Sequence, residues 1–374
     1  MRVALLKMQS KSQGGLEKYA NRIASAFAKK GADVALLTTQ KPEGRSPGIE
    51  THSFPICRWP GFLKLEQFDR CAERWLNKNP VDIVFGMERN RMQTHIRSGN
   101  GVHAAYLKSR LVSEGRFKYG MCLINPLHRK ILELEKAAFE YPGLKKIFVN
   151  SRMVQQELIE HYAVDPSKIE VIHNGVEWKE HEAPFSCWQN EKKRTLERFS
   201  LDADSLQLLF IGHGYRRKGL DPLLIALSLW KHRDFHLSVI GKDKDIDRYH
   251  ATTERLGLKG RIRYFGPQHE IVPFYQMADA LVIPSFYDPF ANVTLEALSF
   301  GLFVISSKTN GGHEILTEQN GAVIENLASP ESITAALDRC LGCRKTSESA
   351  NRIRSSAARL DFSNQLSKLI DACI

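Results

Sequence analysis

The chain has 374 residues, of which 43% are apolar and 25% charged, and its formal net charge at pH 7 is +11. That length exceeds one ordinary hydrophobic core and suits two domains, and the composition excludes a disordered or fibrous chain. No apolar stretch approaches the roughly 20 residues that a bilayer-spanning helix needs, so none is expected.

The opening, MRVALLKMQSKSQGG, has a short apolar run from Val3 to Leu6 and no small-residue cleavage site after it. It reads as a first strand, not a signal peptide, and a cytoplasmic location is expected. Gly14 and Gly15 then make a turn in which backbone N–H groups can approach a phosphate or a sugar. Leu16, Tyr19, Ala20, Ile23, Ala24, Phe27 and Ala28 follow at helical spacing, Gly31 stops that helix, and Val34 to Leu37 is the next strand. The result is a βαβ unit. Further short β-branched runs at Val81 to Phe85, Ile147 to Val149 and Ile169 to Ile172 predict a parallel sheet with helices on both faces.

Charge is unevenly divided. Residues 1–178 carry 28 Lys and Arg against 18 Asp and Glu, which is nearly the whole excess. It is densest between Arg89 and Lys130, where Arg89, Arg91, Arg97, Lys108, Arg110, Arg116, Lys118, Arg129 and Lys130 face only Glu114. Such a run points to an anionic partner: a phosphorylated acceptor, an acidic lipid surface or nucleic acid. Within it, SGNGVHAAYLKSR offers His103 after a glycine-rich turn. A neutral imidazole there can orient a ligand by hydrogen bonding, although a lone His is as often structural.

The charged, weakly periodic stretch from Glu177 to Asp204 is read as the linker and the start of the second domain. The expected division is therefore 1–178, 179–348, and a helical segment 349–374 that packs back toward the first domain. The second half repeats the strand rhythm at Leu208 to Ile211, Leu237 to Ile240, Ile262 to Phe265, Leu281 to Ile283, Val304 to Ser306 and Ala322 to Ile324. Two doubly wound Rossmann-like α/β domains facing a central cleft are predicted, with ligands at the carboxyl ends of the strands. Seven scattered cysteines suit reduced thiols. Cys340 and Cys343 form a CxxC with no second pair to complete a zinc site.

Two segments of the second half carry chemistry. In LLFIGHGYRRKGLDPLL, Gly212 opens a turn after a strand, and Arg217 and Lys218 supply positive charge for a diphosphate just before a helix. In FYDPFANVTLEALSFG, Asp288 precedes Glu296 by eight positions. A helix starting near Asn292 or Val293 would aim the amides of Asn292, Val293 and Thr294 at a phosphate. Glu296, one turn in, can reach paired ribose hydroxyls, and Asp288 can accept hydrogen bonds from a sugar. An unpaired acid between Leu295 and Ala297 would be costly.

These segments resemble the retaining GT-B glycosyltransferases of family 4, whose signature is a carboxylate, seven residues, then Glu. Family members usually have Glu at the first position, where this chain has Asp288. The likeness extends over FVNSRMVQQELIEHYAVDPSKIEVIHNGV and RIRYFGPQHEIVPFYQMADALVIPS, and SGNGVHAAYLKSR resembles lipopolysaccharide core glucosyltransferases of the WaaG type. The resemblance implies that Arg217 and Lys218 neutralise the leaving nucleoside diphosphate. It implies that Gly14 and Gly15 face the donor and that Gly266 and Pro267 border its base. It further implies retention at the anomeric carbon without a metal, and no cofactor beyond the nucleotide-sugar cosubstrate. UDP-glucose is the expected donor and a lipopolysaccharide core, or another anionic glycan or lipid-linked glycan, the acceptor. Peripheral association with the inner face of the plasma membrane through residues 89–130 is expected, and nucleic acid is the less favoured partner. The alternatives are a nonhydrolysing nucleotide-sugar epimerase of the same fold, or a nonenzymatic binder of anionic membrane or nucleic acid.

Overall fold

A computed structural model describes residues 1–8, 15–40, 48–57 and 59–374, with residues 15–18 as backbone only. The chain divides into two compact units, Met1–His173 with Gln365–Ile374, and Asn174–Asn364. This division falls a few residues ahead of the expected boundary at 178. It also leaves most of the segment 349–374 with the second unit, only its last ten residues joining the first.

In the first unit, strands β1 (Arg2–Lys7), β2 (Asp33–Thr38), β3 (Ile49–Ser53), β4 (Ile83–Gly86), β5 (His95–Ser98), β6 (Lys146–Val149) and β7 (Ile169–Val171) alternate with helices. The helices are α1 (Gly15–Lys29), α2 (Gly61–Lys78), α3 (His103–Glu114), α4 (Arg116–Ile124), α5 (Pro126–Phe139) and α6 (Arg152–His161). Among the described residues the strands form one parallel sheet in the order β3-β2-β1-β4-β5-β6-β7. Its core packs Val3, Leu5, Ile23, Phe27, Phe85 and Phe148 together, and Leu369, Ile370 and Cys373 near the chain's end join that cluster.

The second unit opens with α7 (Glu182–Ser186) and α8 (Trp188–Phe199). Then come β8 (Leu206–Ile211), α9 (Leu220–Leu229), β9 (Phe235–Ile240), α10 (Ile246–Arg255), β10 (Ile262–Gly266), α11 (Val272–Met277) and β11 (Ala280–Ile283). α12 (Asn292–Ser299), β12 (Phe303–Ser307), β13 (Gly321–Ile324), α13 (Pro330–Leu341) and α14 (Ser347–Ser356) follow, and α15 (Phe362–Asp371) runs from this unit into the first. The sheet is again parallel, ordered β10-β9-β8-β11-β12-β13. Its inner strands β8, β9, β11 and β12 read as near-continuous apolar runs because helices cover both faces and, Ile211 apart, every position is buried. All the strands predicted for this half are present.

Candidate active site

In the second sheet the winding reverses between β8 and β11, so the loops leaving these neighbouring strands diverge and leave a crevice at their carboxyl ends. The loop after β8 carries Gly212, Arg217 and Lys218. The loop after β11 carries Asp288 and leads into α12. Gly212 has no side chain to obstruct the Lys218 stem, since a Cβ there would lie 2.9 Å from Lys218 Cγ. Gly219 caps α9 at φ +78°, and a Cβ on it would stand 1.7 Å from the Pro284 carbonyl oxygen. Only glycine combines that left-handed backbone with so close an approach of the two loops.

Backbone bonds hold the loops in register. The Phe286 N–H donates to the Arg217 carbonyl at 2.9 Å, and Arg217 Nη1 donates to the Tyr287 carbonyl at 3.1 Å. Across this seam Lys218 Nζ donates to Asp288 Oδ2, and Arg217 Nη1 stands 3.7 Å from the same oxygen. Asp288 is largely buried, and its main chain is clamped by the Thr309 carbonyl at 3.0 Å and the Gly311 N–H at 2.9 Å. Asn310, which sequence reasoning overlooked, is fully buried behind it. Its Oδ1 accepts from the amides of Ala291 at 3.0 Å and Gly312 at 3.1 Å, and its Nδ2 donates to Ser306 Oγ at 2.9 Å.

α12 starts at Asn292, as expected, but it offers two amides where three were foreseen. The Thr294 N–H already donates to the Ala291 carbonyl at 3.0 Å, because the first turn tightens to an i to i−3 bond. The amides of Asn292 and Val293 have no acceptor among the described residues and lie at the positive end of the helix dipole. One turn on, Glu296 Oε2 accepts a hydrogen bond from the Tyr275 hydroxyl at 2.6 Å. Burial raises the carboxyl pKa and that hydrogen bond opposes the rise. Gly266 closes β10 at φ +68°, and its carbonyl accepts from the Gly241 N–H at 3.0 Å. It stands, with Pro267 after it, at the same edge of the sheet as Gly212.

The first sheet has its own reversal, between β1 and β4. Gly14 lies outside the described residues, and Gly15 is the first residue of α1. Glu88, just beyond β4, accepts from the Met8 N–H at 3.3 Å, and burial pushes its carboxyl up to about 7. His103 begins α3. No side chain of that helix caps it; Glu135, fully buried on α5, does so from outside. Its carboxylate accepts from the His103 N–H at 2.8 and 2.9 Å, from Arg89 Nε at 2.6 Å and from the Tyr162 hydroxyl at 2.5 Å. His103 Nε2 lies 3.0 Å from His128 Nδ1, so one imidazole donates to the other and His103 keeps Nδ1 for any further partner. Burial, then the Arg89 guanidinium, lowers the His103 pKa to about 4, which makes the ring neutral near pH 7.

The basic run is more neutralised than its composition suggests. Arg91 pairs with Glu66, Asp69 and Glu133, Lys130 with Glu66 and Glu133, Arg110 with Glu114, and Lys108 with Glu160. Arg97 is buried, its guanidinium 5.0 Å from the Tyr19 ring centroid. Arg116, Lys118 and Arg129 remain exposed, beside apolar side chains the sequence reading passed over: Val112 is 76%, Phe117 83% and Ile124 67% exposed. Among the described residues, no helix is long and apolar enough to cross a membrane.

Two parallel-sheet α/β units, the second with cations and a carboxylate at its winding reversal, have the make-up of the GT-B fold. Residues 13–179 match the model of Glycosyltransferase Family 4, and residues 191–359 that of Glycosyl transferases group 1. The chain belongs to this glycosyltransferase family. It is similar to lipopolysaccharide glucosyltransferase WaaG of Escherichia coli strain K12, at 25% identity over 88% of this chain and 86% of that protein. It is also similar to D-inositol 3-phosphate glycosyltransferase of Paenarthrobacter aurescens strain TC1, at 24% identity over 92% and 88% of the two. The crystal structure of WaaG shares the fold with a TM-score of 0.77, at 21% identity and 99% coverage of both chains. The structure of Anabaena HepE in complex with UDP-glucose shares it with a TM-score of 0.66, at 16% identity, covering 100% of this chain and 99% of that one.

Proposed function

We propose that this glycosyltransferase moves glucose from UDP-glucose to a lipopolysaccharide core or another anionic glycan, with retention at the anomeric carbon. The observation that carries the donor half is the Lys218–Asp288 pair at the winding reversal of the second sheet. A nucleotide-sugar satisfies both partners at once. Its diphosphate takes Lys218, Arg217 and the amides of Asn292 and Val293, and its sugar hydroxyls donate to the released Asp288. Glu296 takes the ribose hydroxyls. Gly212, Gly266 and Pro267 give the nucleotide a close backbone wall. Breaking the bond from sugar to phosphate builds charge on the leaving diphosphate, and preorganised cations and helix amides stabilise that charge. No metal has a part in this reading.

The glucosyltransferase name of one relative and the UDP-glucose held by a protein of the same fold favour this donor. An anionic acceptor is favoured by the positive charge of the first half and by a relative named for D-inositol 3-phosphate. His103, neutral and pinned by Glu135 and His128, is assigned to orienting substrate by hydrogen bonding from Nδ1. The exposed Phe117, Met121 and Ile124 of α4, beside Arg116 and Lys118, favour peripheral docking on an anionic membrane face.

Thermal unfolding with UDP-glucose, ADP-glucose and GDP-mannose tests the donor. Only a ligand of the folded state raises the midpoint, by about 2.7 kcal/mol of stability at a hundredfold excess over Kd. UDP-glucose is expected to protect most. Protection by ADP-glucose or GDP-mannose alone would replace the base, and no protection by any of the three would remove the donor site.

A further inference from the structure

Glu296 sits on α12 in surroundings that disfavour a charge, and one contact defines its geometry. Tyr275, the fourth residue of α11, is buried with its ring stacked on Phe300, the centroids 5.4 Å apart and the planes 3° from parallel. α11 is itself pinned: the buried Lys345 donates to the carbonyls of Tyr275 at 3.0 Å and Gln276 at 3.2 Å. The Tyr275 hydroxyl is therefore a fixed donor on a rigid support, and it meets Glu296 Oε2 at 2.6 Å. Among the described residues no other side chain bonds the carboxylate.

We propose that Tyr275 is a positioning residue for donor recognition, holding one oxygen of Glu296 so that the other is presented, at a set angle, to the ribose hydroxyls of the nucleotide. This rests on the assignment of Glu296 to the ribose. A glutamate side chain with three free torsions would otherwise sample several rotamers, and ordering it on binding would weaken the complex. The hydroxyl also favours the ionised carboxylate, the form that accepts hydrogen bonds from a diol.

The test compares UDP with 2′-deoxy-UDP and 3′-deoxy-UDP by calorimetry, at 10 °C so that a modest loss of stability leaves every variant folded. The proteins are wild type, Tyr275→Phe, Glu296→Gln and the double variant. Phenylalanine keeps the stack on Phe300 and removes only the donor. Wild type should prefer UDP over at least one deoxy analogue by tenfold or more, the range of a hydrogen bond to a charged group. Tyr275→Phe should compress that preference severalfold, and adding it to Glu296→Gln should have no further effect. In turnover assays Tyr275→Phe should raise the donor KM with little change in kcat. Full retention of the preference in Tyr275→Phe, with loss in Glu296→Gln, overturns the positioning role alone. So does an equal effect of Tyr275→Phe in both backgrounds, which a purely structural tyrosine would give. A wild type indifferent to both ribose hydroxyls, or a Glu296→Gln that keeps the preference, overturns the ribose assignment and the proposal with it.

Discussion

At the scale of single residues, the Lys218–Asp288 pair makes opposite demands on its two partners. On the proposed donor reading, Lys218→Ala removes a charge from the developing diphosphate, and kcat/KM should fall by about 10²–10³ with the fold intact. Asp288→Asn should also depress turnover, because the sugar loses its acceptor. UDP, which carries no sugar, should nevertheless bind this variant roughly fivefold tighter, since Lys218 no longer has a carboxylate to give up. Titration calorimetry with UDP measures both. UDP affinity in Asp288→Asn no better than wild type would show that the pair does not compete with the diphosphate. The residues were legible before any fold was known, because Arg217, Lys218, Asp288 and Glu296 lie in two short segments whose strand, turn and helix signals are local; that Lys218 and Asp288 pair was not. Asn310, Tyr275, Glu135 and His128 were not. Each acts through a partner on a different element, and although Asn310 also caps its own turn at Gly312, nothing local announces its contact with Ala291 or the contacts of the other three.

At the scale of elements, the carboxylate loop keeps its shape through the buried Asn310, which ties the start of α12 to the turn after β12. Asn310→Ala would strand two backbone amides and remove the donor to Ser306 Oγ. Stability should drop by about 2–4 kcal/mol, read from the urea midpoint, and the donor KM should rise as Asp288 and the amides of Asn292 and Val293 lose register. An unchanged midpoint would mean that water replaces the side chain. The same contrast explains which strands the sequence revealed. Apolar runs such as β8, β9 and β11 are legible because both faces are covered. β5, with the sequence HIRS, is fully buried yet has one apolar side chain, and the polar β3 lies at the sheet's edge, so neither shows a strand period. The third amide expected at α12 failed for a different reason: helix starts are legible, but whether the first turn tightens depends on the loop before it.

Over the whole molecule, net charge and local surface make separable contributions to any membrane association. The net charge of +11, nearly all from the first half, sets a long-range attraction to an anionic bilayer that salt screens within about 8–10 Å. Much of the basic run is paired with carboxylates of α2, α5 and α6 or of its own helix, so it cannot by itself make a tight contact. In the proposed docking the contact falls to α4, which buries Cys122 and leaves Phe117, Met121, Leu123 and Ile124 exposed next to Arg116 and Lys118. Removing such side chains from water is worth about 1.5–3 kcal/mol each, against about 1 kcal/mol for each nearby cation. Phe117→Ser with Met121→Ser should therefore weaken sedimentation with phosphatidylglycerol vesicles at least tenfold at 150 mM salt, while UDP affinity stays at the wild-type value. Arg116→Ala with Lys118→Ala should weaken it less, and the deficit should shrink as salt rises. Equal binding by the Phe117 and Met121 variant would mean that charge alone carries the association, and a loss of UDP affinity would mean that α4 has a structural part in the donor site.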